Sequence, residues 1–306
     1  MSVTIHDLAK LSGLNASTIS RALRNDPRVR KTTRELVRKL ARKHGYAPNL
    51  PARQLAAGKT GNIWFCFGSP EAAVELETAI KLDEFVTREH HDLLLVLHGN
   101  STERLEHLLE KLCQQVADGA LIIPPGDLKE TTELNRLLNA LPIPHVLIDR
   151  YWEEAACPVV TTDNRAGTRR LVERCLEWGA REFYLEYGGD NPVSHLREET
   201  AKHELSARGI PFHPYPATNR IESQKPAAVI GNSSRMLPES RSELYGGFFD
   251  SCDAAALRVY RHVIVCRQNF PEIARSAASI LFDLLHTPGA PAPGFTEIAP
   301  LEYLEY

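Results

Sequence analysis

From residue 61 onward, short apolar runs, many of them β-branched, recur about every 20–30 residues with stretches of helical character between them. The runs are NIWFCFG (62–68), DLLLVLH (92–98), DGALIIP (118–124), PHVLIDR (144–150), PVVTTD (158–163), EFYLEY (182–187), AAVIGN (227–232), ELYGGFF (243–249) and HVIVCR (262–267). Helices are expected at roughly 70–90, 101–117, 128–140, 165–178, 195–208 and 271–286. Strands that alternate with helices in this way join as parallel sheets with helices on both faces. Such sheets take ligands in the crevice beyond the carboxyl ends of their strands.

The first 60 residues are different in kind. They hold 13 Lys and Arg against 3 Asp and Glu, a net of +10, whereas the rest of the chain holds 23 against 36, a net of −13. A basic head on an acidic body points to a nucleic-acid-facing N-terminus, with a solvated charged face as the plainer alternative. In TIHDLAKLSGLNASTISRAL, Thr4 and Asp7 form a capping box that opens a first helix, and Ser12-Gly13-Leu14 breaks it. Asn15 caps a second helix, Ala16 to Leu23, with Ile19, Ala22 and Leu23 inward. Two short helices joined by a glycine turn form a helix-turn-helix pattern, whose second helix enters the major groove. Ala16, Ser17, Ser20 and Arg21 lie on its outward side, where small residues allow close approach. Arg21 can then offer a fork to guanine O6 and N7, worth about 1–3 kcal/mol of discrimination. A phosphate contact or a plain surface arginine are the alternatives.

Thr32-Thr33-Arg34-Glu35 reads as a further capping box, opening a basic third helix with Leu36, Val37 and Leu40 apolar and Gly45 at its end. In APNLPARQLAAGKTGN, Asn49 caps a short helix that Gly58 stops. Alone it is too short to be stable in water, so it forms only against a partner helix or DNA. Leu55 is either an apolar wedge for a minor-groove step or a linker residue against the body.

Other function classes lack their marks. There is no GxGxxG, GxxxxGK[ST], HExxH or GxSxG, so no enzyme and no cofactor is expected. The six cysteines (Cys66, Cys113, Cys157, Cys175, Cys252, Cys266) form no CxxC pair, which argues for reduced thiols and against a zinc site. SVTIHDLAKL carries His6, Asp7 and Lys10 where a signal peptide needs an apolar core, and no run approaches membrane-span length. A cytoplasmic protein with no membrane partner is expected.

With these motifs in place, residues 3–60 closely resemble the headpiece and hinge of the lactose-repressor (LacI/GalR) family of bacterial transcription regulators. VLIDR, followed by VVTTDNRAGTRRLVERCLEWGARE, and the later CRQNFPEIARSAASILFDLL extend the resemblance to the family's two-lobed, periplasmic-binding-protein-like body. The resemblance implies an all-α helix-turn-helix headpiece over 1–48, a hinge over 49–60 and an effector-binding and dimerisation body over 61–306. It implies Ala16, Ser17 and Arg21 toward the bases, Leu55 as wedge with Ala52 beside it in the minor groove, and Thr4, Thr18 and Asn25 near phosphate. The implied partners are a double-stranded DNA operator, a second copy of the chain, and a sugar or sugar phosphate between the lobes. Effector residues carried over by position are Ser69, Asp149, Arg150, Asp163, Arg197, Asn232 and Asp250. Carboxylates and an arginine fork suit vicinal hydroxyls, and the arginine also suits a phosphate.

The chain departs from the family at several positions of the second lobe and is shorter between Pro216 and Tyr260. Thr200 replaces a usual glycine, GNSS carries Ser233 in place of an acid, and Phe249 falls where the first of two acids is usual. About ten residues separate Thr218 from the strand at 227, and about a dozen separate Asn232 from Tyr245, too few for the customary helices. A second lobe shortened by two helices is expected. Two regulatory readings follow: an effector-tuned repressor, or a regulator whose eroded second lobe acts through dimerisation or a protein partner.

Overall fold

The structure is a computed structural model that describes residues 3–46, 58–69, 73–128, 131–235, 237–289, 291 and 293–306. Ala52 and Leu55, with the rest of the expected hinge helix, lie outside the described residues. The chain divides into two compact units, residues 1–60 and residues 61–306.

The first unit is built on three helices. Helix α1 (Ile5–Ser12) begins at Thr4, whose hydroxyl accepts from Asp7 N–H while the Asp7 carboxylate takes the Thr4 N–H at 2.9 Å. Gly13 ends it at φ +69°, a conformation that glycine adopts without a Cβ clash. Helix α2 (Ala16–Leu23) is capped by Asn15, which accepts from Thr18 N–H at 2.8 Å. Helix α3 (Lys31–Lys43) corrects the sequence reading at its start. It begins one residue before Thr32, with Arg30 at the cap and no side-chain cap bond, so Thr32 is already inside the first turn and cannot cap it. Leu8, Ile19, Ala22, Val29, Val37 and Ala41 form the core, with Tyr46 packed against it. Leu36 does not join them. It is 48% exposed, and Ala41, one turn beyond Val37, fills the inward position instead.

The second unit holds two six-stranded sheets. In the first, strands β1 (Asn62–Phe67), β2 (Asp92–Leu97), β3 (Gly119–Ile122), β4 (His145–Ile148), β5 (Val159–Thr162) and β13 (Phe295–Ile298) run in the order β13-β5-β4-β3-β1-β2, all parallel. Helices α4 (Ala73–Arg88) and α10 (Phe270–His286) bury one face. Helices α5 (Thr102–Cys113) and α6 (Thr132–Ala140) bury the other. The inner strands β1, β3, β4 and β5 read as continuous apolar runs because both of their faces are covered, whereas the edge strands β2 and β13 are largely exposed.

The second sheet has the order β14-β12-β11-β9-β6-β7. It contains β6 (Glu182–Glu186), β7 (Phe212–Pro214), β9 (Ala227–Gly231), β11 (Leu244–Phe249), β12 (His262–Arg267) and an antiparallel edge strand, β14 (Glu302–Glu305). The chain passes from the first sheet to the second after β5, back after β12, and across again between β13 and β14. Strands β13 and β14 each complete a different sheet. Helices α7 (Asn164–Glu177) and α8 (Pro192–Ala207) cover one face of the second sheet.

The opposite face is covered differently. Among the described residues, no helix lies between β7 and β9 or between β9 and β11. In their place stand a two-stranded ribbon of β8 (Arg220–Ile221) and β10 (Glu239–Ser240), the four-residue helix α9 (Ala256–Val259), and the side chains of Tyr215 and Leu237. The shortening expected from the sequence is therefore confined to one face of one lobe. No helix among the described residues is long and apolar enough to cross a membrane, and all six cysteines are free thiols.

Leu281 shows how the first lobe is closed. It is fully buried on α10, and a Cβ added to Gly119 of β3 would lie 3.1 Å from its Cδ1. Leu281→Ala should lower the stability of this unit by about 2–5 kcal/mol, because the rigid strand cannot collapse into the void. Urea unfolding followed by tryptophan fluorescence tests this; a loss below about 1 kcal/mol would show that α10 does not bear on the sheet.

Candidate functional site

Two surfaces carry the residues singled out above. The first is the outward side of α2. Arg21 and Ser17 are exposed, Ala16, Thr18 and Ser20 are half-buried, and Ile19 and Ala22 are fully inward. Ser17 donates its hydroxyl to the Asn15 carboxamide at 2.8 Å. The Arg21 guanidinium makes no hydrogen bond among the described residues, so its fork is open to an incoming group.

Thr4 and Asn25 are tied into the protein itself. Thr4 is committed to its capping box. Asn25 sits at φ +61°; its carbonyl accepts from Arg34 Nη1 at 3.0 Å and its Oδ1 accepts from Arg38. These bonds use only the acceptors of Asn25, and through them it holds two α3 guanidiniums beside the end of α2. Asp26 is held down to about 2 by the Arg28 side chain and backbone N–H, so it stays charged beside this basic face.

The second surface is a cavity of about 500 Å³ between the two lobes of the body. Its walls are the carboxyl ends of strands from both sheets and the first turns of α8. Of the seven residues singled out for an effector, Asp149, Arg150, Arg197, Asn232 and Asp250 line it. Asp163 does not: its carboxylate caps α7, accepting from Ala166 N–H at 2.9 Å. Ser69 is also outside the lining, its N–H donated to Glu75 Oε2 at 2.9 Å. Asn100, Asp127, Asn191, Ser194 and Gln268 line the cavity and were not singled out from sequence. Their only sequence signal was position just after a strand or at a helix start, which many residues share.

Asp149 and Asp250 occupy matching places in the two lobes. Each follows the last residue of a strand at positive φ, +63° and +69°. In each, the next N–H reaches back to the residue before, Arg150 to the Ile148 carbonyl at 2.7 Å and Ser251 to the Phe249 carbonyl at 2.9 Å. This three-residue turn at positive φ is rare and strained. It directs both carboxylates across the strand ends into the cavity.

Arg197 lies between them and is 5% exposed. Its guanidinium stacks 3.5 Å from the centre of the Phe249 ring, with Nε donating to Asn164 at 2.7 Å and Nη1 to Asn232 at 2.9 Å. Burial works against its charge, and the nearby Asp149 and Asp250 support it. Burial likewise pushes Asp250 up to about 6, against the opposing pull of Arg197 and of the Gln268 amide at 2.8 Å. Arg150 is tied to its own lobe by the Pro124 carbonyl at 2.8 Å and the buried Glu75 at 3.3 Å.

The lobes touch at the cavity rim. Asn191 Nδ2 donates to the Gly126 carbonyl at 2.8 Å, and Leu128 N–H donates to the Asp190 carbonyl at 2.9 Å. Gly189, at φ +95°, is the residue this approach demands, since a Cβ there would stand 2.7 Å from the Gly126 carbonyl oxygen.

The raised Asp250 has a consequence for stability. Its ordinary value is 3.8, so the folded state binds the proton more tightly than the unfolded chain. The group destabilises the fold fully above about pH 6, less as pH falls through 6, and not at all below about pH 4. Asp250→Asn should therefore raise Tm by a few degrees near pH 8 and by progressively less toward pH 4. A difference from the parent that stays constant across thermal melts in this range would contradict the assignment.

Comparison with known proteins places both surfaces in context. A family model described as bacterial regulatory proteins, lacI family, matches residues 4–49. Catabolite control protein A of Priestia megaterium is 25% identical over 213 residues, 69% of this chain and 63% of that protein. The HTH-type transcriptional regulator RafR of Escherichia coli is 29% identical over 187 residues, 60% of this chain and 54% of that one. The chain thus matches less than two thirds of the length of either relative. Among solved structures, the lac repressor dimer bound to operator and the anti-inducer ONPF superposes with a TM-score of 0.77 at 17% identity, covering 98% of this chain and 97% of that one. The Cra transcriptional dual regulator from Pseudomonas putida, in complex with fructose 1-phosphate, gives 0.65 at 16% identity, covering 80% and 98%. At these identities the structural matches establish a shared fold.

Proposed function

Because the chain belongs to the LacI/GalR family of bacterial regulatory proteins, we propose that it is a sequence-specific DNA-binding repressor of carbohydrate-metabolism genes, acting as a dimer on a palindromic operator. The observation that carries this reading is the outward side of α2, where an unengaged Arg21 stands among small residues on a strongly basic unit. In the major groove Arg21 pairs with a guanine, and Ala16 and Ser17 let the helix approach it. Thr18 and the Arg34 and Arg38 pair held by Asn25 face phosphate, with Thr4 at the start of α1 near it while it keeps its capping box. Leu55, with Ala52, is the minor-groove wedge in this reading.

The dimer is supported by an apolar surface on the first lobe. Leu76 and Ile80 on α4, and Leu95 and Leu97 on the edge strand β2, are all more than 40% exposed. Helix α4 packs beside β2, so these side chains form one patch of the kind that marks an interface. Twofold pairing through it also matches the symmetry of a palindromic operator.

A small carbohydrate in the interlobe cavity then tunes DNA affinity by its different affinity for two lobe arrangements, a coupling of about 1–3 kcal/mol. The reading of the second lobe as an eroded, non-sensing module has less support. The missing helices belong to the face away from α7 and α8, while the strand ends that line the cavity are intact.

Two experiments test the proposal. Arg21→Ala should weaken operator binding by about 1–3 kcal/mol and relax preference at one base pair of each half-site, measured by fluorescence anisotropy on a set of operator variants. Equal loss on all sequences would make Arg21 a phosphate contact. Ile80→Asp combined with Leu95→Asp should convert the dimer to monomer in sedimentation, with at least tenfold weaker operator binding; an unchanged dimer would move the interface elsewhere.

A further inference from the structure

The cavity's own chemistry narrows what it accepts. Both of its arginines are already committed. Arg150 gives Nη1 to the Pro124 carbonyl and Nη2 to Glu75, a carboxylate 4% exposed that matches its charge. Arg197 gives Nε and Nη1 to Asn164 and Asn232, and one face of its guanidinium is on Phe249. Arg150 cannot present a two-pronged fork to a phosphate or carboxylate without breaking bonds that hold it in place, and Arg197 keeps only its outer edge, Nη2 with one Nη1 hydrogen, for an incoming group.

The acceptors tell the opposite story. Arg150 is shared between Glu75 and Asp149, whose Oδ2 lies 3.6 Å from its Nε, so Glu75, Asp149 and Asp250 together exceed the charges of Arg150 and Arg197 by one. An anion entering here meets net negative charge in a partly desolvated site, where repulsion is stronger than in water. Asp149 is nine-tenths buried, and its Oδ1 has no hydrogen-bond partner among the described residues. A buried carboxylate oxygen left in this state is costly unless a donor or a cation reaches it. Asp250, from the opposite lobe, uses Oδ1 for Gln268 and aims at the same space. Among the described residues no aromatic ring lines the cavity, so flat ligands find no stacking surface there, and a volume of about 500 Å³ accommodates a monosaccharide.

We infer that this cavity takes a protonated primary amine carried on a small hydroxylated, saturated skeleton, an amino sugar or amino polyol, in preference to a neutral or phosphorylated sugar. The ammonium sits against Asp149 and Asp250, satisfying carboxylates from both lobes at once. The hydroxyls meet Asn100, Asn191 and Ser194. Because one cation bridges both lobes, binding favours the closed arrangement in which Asn191 meets Gly126. The inference rests on the reading of the interlobe cavity as the effector site.

Thermal melting of the full chain near pH 7.5 tests it with four groups of compounds. These are glucosamine, galactosamine and mannosamine; the acyclic 1-amino-1-deoxyglucitol; their neutral counterparts glucose, galactose, mannose, sorbitol and N-acetylglucosamine; and glucose 6-phosphate. At least one amine should raise Tm with an apparent affinity tenfold or more above that of its neutral counterpart, and the amine that does so distinguishes ring from open chain. Asp149→Asn should abolish that preference, and Asp250→Asn serves as a second, independent removal of charge, with each variant also melted without ligand to establish that it is folded. Tighter binding of a neutral or phosphorylated sugar, lost in Arg197→Ala, would overturn the amine and leave the cavity as effector site. An amine preference that survives both carboxylate variants would place the amine elsewhere and overturn the inference. Silence from every compound would overturn both readings.

Discussion

A desolvated guanidinium organises the body of this protein. Arg197 is buried where the ends of two sheets converge, and an arginine so placed persists only when its charge and its N–H groups are matched. The matching comes from four separate places: Asn164 at the start of α7, Asn232 after β9, the ring of Phe249, and the carboxylates of Asp149 and Asp250 from opposite lobes. Each of these positions lies just beyond a strand end or at a helix start. The parallel topology makes this possible, because it delivers every strand's carboxyl end to the same side and every crossover helix returns from there. The cavity is thus a consequence of sheet polarity, and its charge balance is a consequence of Arg197 needing support.

The same arrangement ties the lobes together chemically while leaving their contact slight. The three crossings and two rim hydrogen bonds connect them, and Gly189 removes the Cβ that would hold them apart. Strained turns at Asp149 and Asp250 hold carboxylates toward the gap from both sides. An occupant able to neutralise both thus bears directly on closure. The second lobe tolerates the loss of helices on one face because a ribbon, a short helix and two large side chains suffice to cover a sheet whose other face is already packed against α7 and α8.

Much of this was legible in the sequence, for a physical reason that can be named residue by residue. The nine apolar runs between residues 61 and 306 correspond to nine strands, eight of them because largely buried strands need uninterrupted apolar side chains, and β2 as an apolar but exposed edge. Thr4, Asp7, Gly13 and Asn15 announced their helix ends because capping is local chemistry. Where local rules competed, the reading failed. Thr32 and Glu35 have capping-box spacing, yet α3 starts one residue earlier because Val37 and Ala41 must meet Leu8 and Ile19. Short strands such as β7, β8 and β10 carry too few residues for any pattern, and β13 needed a partner strand more than 130 residues away.

The sequence by itself determined the class of fold, the division into a basic head and an acidic body, and five of the residues that line the interlobe cavity. The first two follow from periodicity, composition and motif, all of which are carried by neighbours in the chain, and the five residues follow by position from the family resemblance. Tertiary structure alone decided which polar groups remain free. Asp163 was equally placed to line the cavity, but its carboxylate is taken by its own helix. Arg150 and Arg197 looked able to fork an anion, but Glu75, Pro124, Asn164 and Asn232 had already engaged them. Whether a side chain is available depends on partners tens of residues distant, and that competition for hydrogen bonds is resolved only when the chain has folded.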